Sequence, residues 1–121
     1  MLLKEGSNFL SYALYDGNAP AGGWIHIGNT DHVAEAANQL PLNQWSHLAA
    51  TYDGATLKLY MNGALAATKN VTGSITTTNG AFRIGGNSIW GEWFNGIIDE
   101  VRIYNRALSV SEIQFDMTTA I

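Results

Sequence analysis

Residues 95–104, Asn-Gly-Ile-Ile-Asp-Glu-Val-Arg-Ile-Tyr, sort their apolar and polar positions with a period of two. Ile97, Asp99, Val101 and Ile103 fall on one side, and Ile98, Glu100, Arg102 and Tyr104 on the other. A period of two is that of a β-strand. Three of the four residues on the first side are β-branched and apolar, so that side is expected to be buried. Asp99 is then a carboxylate among core residues, which is costly unless hydrogen bonds, a cation or a metal compensate it.

Five Asx-Gly dipeptides, Asp16-Gly17, Asp53-Gly54, Asn62-Gly63, Asn79-Gly80 and Asn95-Gly96, separate alternating or apolar runs. Each can supply the positive φ angles of a hairpin turn, which predicts an all-β, antiparallel domain. The expected strands are residues 9–15, 23–28, 32–36, 45–52, 56–61, 64–69, 81–85 and 97–106. Residues 45–69 should form a three-stranded meander, with Leu48, Ala50 and Tyr52 packing across Leu57, Leu59 and Met61. One short helix is expected after the last strand. Ser109-Val110-Ser111-Glu112 reads as a capping box, and Leu108 and Ile113 as a hydrophobic staple.

At 121 residues the chain reads as a single domain spanning 1–121 with one core. Six basic residues are scattered singly and the net charge is -4, so there is no basic stripe for a nucleic acid. No apolar run is long enough to suggest a membrane span, and residues 1–6 lack the apolar stretch of a secretory signal. There is no cysteine, which excludes disulfides, thiolate metal sites and a Cys nucleophile.

Glycoside hydrolysis needs two carboxylates on one bond. Asp99 and Glu100, adjacent in a strand, would point to opposite faces, so no hydrolase site is expected. His26, His32 and His47 lack the spacing of a zinc site. The aromatic residues are more informative. Trp24 and His26 share one side of their strand, and Trp90 sits in a loop of Gly, Ser and Asn, so these three are the candidate ligand contacts. Trp45, opening a meander strand, is expected in the core, and Trp93 and Phe94 are expected to pack on the sheet. For Asp99 two roles stand open: a calcium ligand together with backbone carbonyls, or a carboxylate satisfied by backbone N–H groups.

Residues 44–54 (Gln-Trp-Ser-His-Leu-Ala-Ala-Thr-Tyr-Asp-Gly), 57–63, Arg83-Ile84-Gly85-Gly86 and residues 94–109 together resemble the laminin-G-like jelly roll of the concanavalin A-like lectin/glucanase superfamily. The resemblance implies a two-sheet antiparallel jelly-roll sandwich and an extracellular or cell-surface, non-catalytic module. Such a module binds glycans or proteins, often with calcium. The Glu-x-Asp-x-x-Glu strand of the superfamily's glucanases is missing. The family's first strands also have no counterpart before residue 9, which leads to the expectation of an uncovered edge, sealed by a homodimer or, as the alternative, by residues 1–7 and 32–37 laid over the gap. The function expected is weak carbohydrate binding. The alternative is a structural or protein-protein interaction domain.

Overall fold

A computed structural model describes residues 1–16 and 19–121. The expected turn at Asp16-Gly17 reaches beyond those described residues. In chain order the strands are β1 (Leu2–Glu5), β2 (Leu10–Tyr15), β3 (Gly22–Ile27), β4 (Thr30–Glu35), β5 (Leu48–Tyr52), β6 (Thr56–Met61) and β7 (Ala64–Asn70). They are followed by β8 (Phe82–Ile84), β9 (Gly86–Asn87), β10 (Glu92–Trp93) and one helix, α1 (Val110–Thr118). A five-stranded sheet in the order β4-β3-β2-β1-β8, here sheet I, faces a three-stranded sheet β5-β6-β7, here sheet II. β9 and β10 form a separate ribbon, and the ladders are antiparallel.

The meander forms in the expected register, with Leu48 opposite Met61, Ala50 opposite Leu59 and Tyr52 opposite Leu57. Its turns follow from local chemistry. Asn62 and Gly63 take φ of 51° and 78°, the doubly positive turn that matches strand twist. The Asp53 carboxylate accepts from the backbone N–H groups of Ala55 and Thr56 at 2.9 and 2.8 Å.

Between the sheets lies the core: Ala21, Ile25, Ala34 and Ala36 against Leu57 and Leu59. Small residues let the sheets approach closely. A Cβ on Gly23 would stand 2.9 Å from the Cβ of Ala50. The connection from β7 to β8 is pinned by the Tyr52 hydroxyl, which donates to the carbonyls of Val71 and Gly73 at 2.9 and 2.6 Å, and Val71 and Ile75 pack against the core.

The capping box at Ser109 is present, and the helix runs nine residues, further than expected. Glu112 also pairs bidentately with Arg106 at 2.8 and 3.0 Å.

Four expectations are corrected. Residues 97–106 belong to no sheet; Glu100 takes φ of 54°, and Ile97 and Ile103 are 77% and 53% exposed. The cause is polar anchoring to α1. Arg102 pairs with Asp116 at 2.7 Å and donates to the carbonyl of Thr119, and the Tyr104 hydroxyl donates to Asp116 at 2.7 Å. Asp99 is therefore exposed instead of buried, accepting from the Glu100 N–H at 2.8 Å. Trp45 is 68% exposed because the meander ladder ends at Leu48, where the His47 N–H donates to the Asn62 side chain at 2.8 Å. Trp93 is 72% exposed, although its ring lies across Gly86. β1, β9 and β10 were not expected.

Candidate functional site

Alternation and register define the outer face of sheet I, turned away from sheet II. Leu3, Ala13, Trp24 and Val33 share one row across it, Arg83 lies opposite Leu3, and Tyr15, Gly22 and Glu35 form a second row. The β9–β10 ribbon covers the β1–β2 half, where Leu3 is 0% and Ala13 4% exposed. Two hydrogen-bonded clusters fasten it there.

At the first, the Glu5 carboxylate accepts from the N–H and hydroxyl of Ser88 at 2.7 and 2.9 Å and pairs with Arg83 at 2.8 Å. The Ser88 backbone bond, helped by Arg83 and opposed by burial, holds Glu5 below the usual carboxylate range. At the second, Asn87 is fully buried. Its Oδ1 accepts from the Trp90 N–H at 2.6 Å, and its Nδ2 donates to the Tyr15 hydroxyl and, at 3.4 Å, to Glu92. Burial, then the Glu92 carboxylate, pushes the Tyr15 phenol well up, so it stays protonated.

The β3–β4 half is open. Trp24 is half-buried, with its indole lying over Gly22: Nε1 is 3.0 Å from the point where a Cβ on Gly22 would stand. Since Gly22 is flanked in register by Tyr15 and Glu35, the indole sits between those side chains. Trp90, 58% exposed, is tied to the same face through Asn87. His26 is on this face but buried. Phe9 stacks on it at 4.3 Å, and its Nδ1 meets Asp31 at 2.6 Å, so it supports the surface from beneath. The Ser11 hydroxyl donates to the Thr76 carbonyl at 2.5 Å.

Of the three candidate contacts, Trp24 is half-buried on the open half of this face, Trp90 is exposed with its N–H bonded to Asn87, and His26 is buried under Phe9. The sequence reading missed Tyr15, Asn87, Glu92 and Glu35. A local signal for Asn87 is the run Gly85-Gly86-Asn87 directly after a strand. Elsewhere a depression of about 300 Å³ lies between residues 104–108 and α1. Its charged groups, Arg106, Glu112 and Asp116, are already paired. Asp99 is exposed, and among the described residues no three acidic, histidine or cysteine side chains gather as a metal group.

A two-sheet jelly-roll sandwich with an open, aromatic outer face defines a lectin-like domain. The chain belongs to the concanavalin A-like lectin/glucanases superfamily, whose Laminin_G_3 model matches residues 3–114. It is 38% identical over 81 residues to pappalysin-1 of Mus musculus and 35% identical to that of Homo sapiens, a match covering 63% of this chain but 5% of theirs. Among solved structures it is similar to domain 4 of AbnA, a GH43 extracellular arabinanase from Geobacillus stearothermophilus, in complex with arabinotriose. That match has a TM-score of 0.74 and 27% identity, and covers 97% of this chain and 57% of the other. A domain (residues 221-444) of an S-layer domain-containing protein from Clostridium thermocellum shares the fold, with a TM-score of 0.59, 21% identity, and coverage of 84% and 58%.

Proposed function

We propose that this domain is a non-catalytic recognition module that binds carbohydrate weakly on the outer face of sheet I. The carrying observation is a half-buried Trp24 and an exposed Trp90 together with a built polar cluster of Tyr15, Asn87 and Glu92. Indole faces stack on sugar C–H faces, while amide, phenol and carboxylate groups meet the hydroxyls. The likeness to a domain in complex with arabinotriose supports the reading. Two rings and a few hydrogen bonds supply about 4 to 6 kcal/mol, a dissociation constant from about millimolar to tens of micromolar. An extracellular setting, like that named for the arabinanase neighbour, belongs to the same proposal.

One observation favours a protein-interaction role or a homodimer. On β8, Phe82 and Ile84 point to the side that sheet II covers elsewhere, yet they are 38% and 52% exposed. Among the described residues β5 pairs only with β6, which leaves its other edge without a strand partner there. A glycan array run with and without Ca²⁺, beside light scattering coupled to size exclusion, tests both readings. Glycan binding lost in Trp24→Ala supports the first; a dimer with no glycan signal supports the second and ends the first.

A further inference from the structure

The charges around the rings narrow the class of glycan. We infer that the outer face of sheet I selects uncharged oligosaccharides and rejects those carrying carboxylate or sulfate; this rests on the carbohydrate reading above. Glu35 stands one strand from Gly22, over which the Trp24 indole lies, and adjacent strands are about 4.8 Å apart. Glu92, exposed, stands on the Tyr15 side of the ring, hydrogen-bonded to Asn87. Asp31, its side chain 53% exposed, lies further along β4 beside His26.

Asp31 is paired with His26, and no lysine or arginine answers Glu35 or Glu92. Arg83 is engaged by Glu5 and Lys4 by the Gly80 carbonyl. Arg102 and Arg106 are paired with Asp116 and Glu112 at the helix, and Lys58 and Lys69 are on sheet II. For a neutral sugar the carboxylates are useful, since they accept hydrogen bonds from hydroxyl groups. For an anionic sugar stacked on Trp24, Glu35 and Glu92 are like charges at about 8 Å, each costing roughly two-fold in affinity at low salt, while Asp31, in the His26 row of the sheet, is too distant to add much. Acting together, Glu35 and Glu92 impose a discrimination of about four- to six-fold.

The test is a matched titration. Arabinotriose, xylotetraose and cellotetraose serve as neutral probes, and the C6-oxidised cellouronate counterpart and a heparin tetrasaccharide as anionic ones. Binding is read at low and high salt from the indole N–H signals of Trp24 and Trp90. The expected result is that at least one neutral probe binds, that the cellouronate binds about four-fold or more weaker than its neutral counterpart, and that the gap narrows as salt rises. Glu35→Lys, an exposed substitution that leaves the ribbon untouched, should strengthen anionic binding by about three-fold. Anionic probes binding as tightly as neutral ones, or Glu35→Lys changing nothing, overturns the selectivity while leaving carbohydrate binding intact. Absence of binding by every probe overturns the carbohydrate reading and the selectivity with it.

Discussion

Gly22 and Gly23 are adjacent in sequence but serve opposite faces of β3, and alanine at each separates stability from recognition. On Gly23 a Cβ would stand 2.9 Å from the Ala50 Cβ and 3.8 Å from Leu57, so the two sheets would have to move apart by several tenths of an ångström. Overpacking of this kind costs about 1 to 3 kcal/mol. The stiffer unfolded chain returns about 0.4 to 1 kcal/mol of that. The net loss is about 1 to 2 kcal/mol, or about 4 to 8 °C in Tm for a domain of this length.

On Gly22 a Cβ would meet the Trp24 indole at 3.0 Å and Val33 at 3.2 Å. Since Trp24 is only half-buried, the ring can yield, and stability should change by no more than about 0.5 kcal/mol. Displacing the stacking ring should weaken glycan binding by about ten-fold. Calorimetric melting and fluorescence titration of both variants check this. If Gly22→Ala lowers Tm as much as Gly23→Ala, or if Gly23→Ala is neutral, the assignment of inner and outer faces is wrong.

Asn87→Ala should cost about 1 to 3 kcal/mol and weaken glycan binding as well, because it leaves the Tyr15 hydroxyl and the Trp90 N–H without their buried partner; a melt at the wild-type temperature would count against the cluster. Glu112 is held down to about 2 by its bond to Arg106 and by the Ser109 N–H, against an ordinary value of 4.5. A depressed carboxylate contributes stability that is complete above its unfolded value and lost as pH falls through the folded one, so α1 should loosen between about pH 4.5 and pH 2. Circular dichroism of wild type and Glu112→Gln reads this: the variant should lack that acid-dependent step, and an identical step in both would contradict it. Asp99→Ala, at an exposed position, should shift stability by less than about 0.5 kcal/mol, and EDTA should leave Tm unchanged. A fall in Tm with EDTA that Ca²⁺ reverses would show that a metal site forms.

Features set by neighbours in the chain were legible from sequence. The turns at Asp53-Gly54 and Asn62-Gly63 and the capping box at Ser109 and Glu112 each need only residues one to three apart. Alternation also placed Trp24 and His26 on one face. β1 was not legible, because Leu2–Glu5 carries no turn signal and becomes a strand only by pairing with both β2 and β8. Residues 97–106 carry the strongest strand pattern in the chain. They nevertheless lie outside the sheets, because Arg102 and Tyr104 are drawn to Asp116, a contact that periodicity cannot reveal. The polar cluster was hidden for the same reason: Asn87 and Tyr15 meet across 72 residues. Nothing local in the sequence marks Phe9 as the ring that covers His26.

The most direct test of carbohydrate recognition on the outer face of sheet I follows all four indole N–H resonances, each assigned by single substitution, during titration with arabinotriose and a panel of neutral oligosaccharides. Trp24 and Trp90 should move together and saturate with one dissociation constant, between about millimolar and tens of micromolar, while Trp45 and Trp93 stay in place. Saturable shifts confined to Trp45 or Trp93, or no shift at all four, would contradict it.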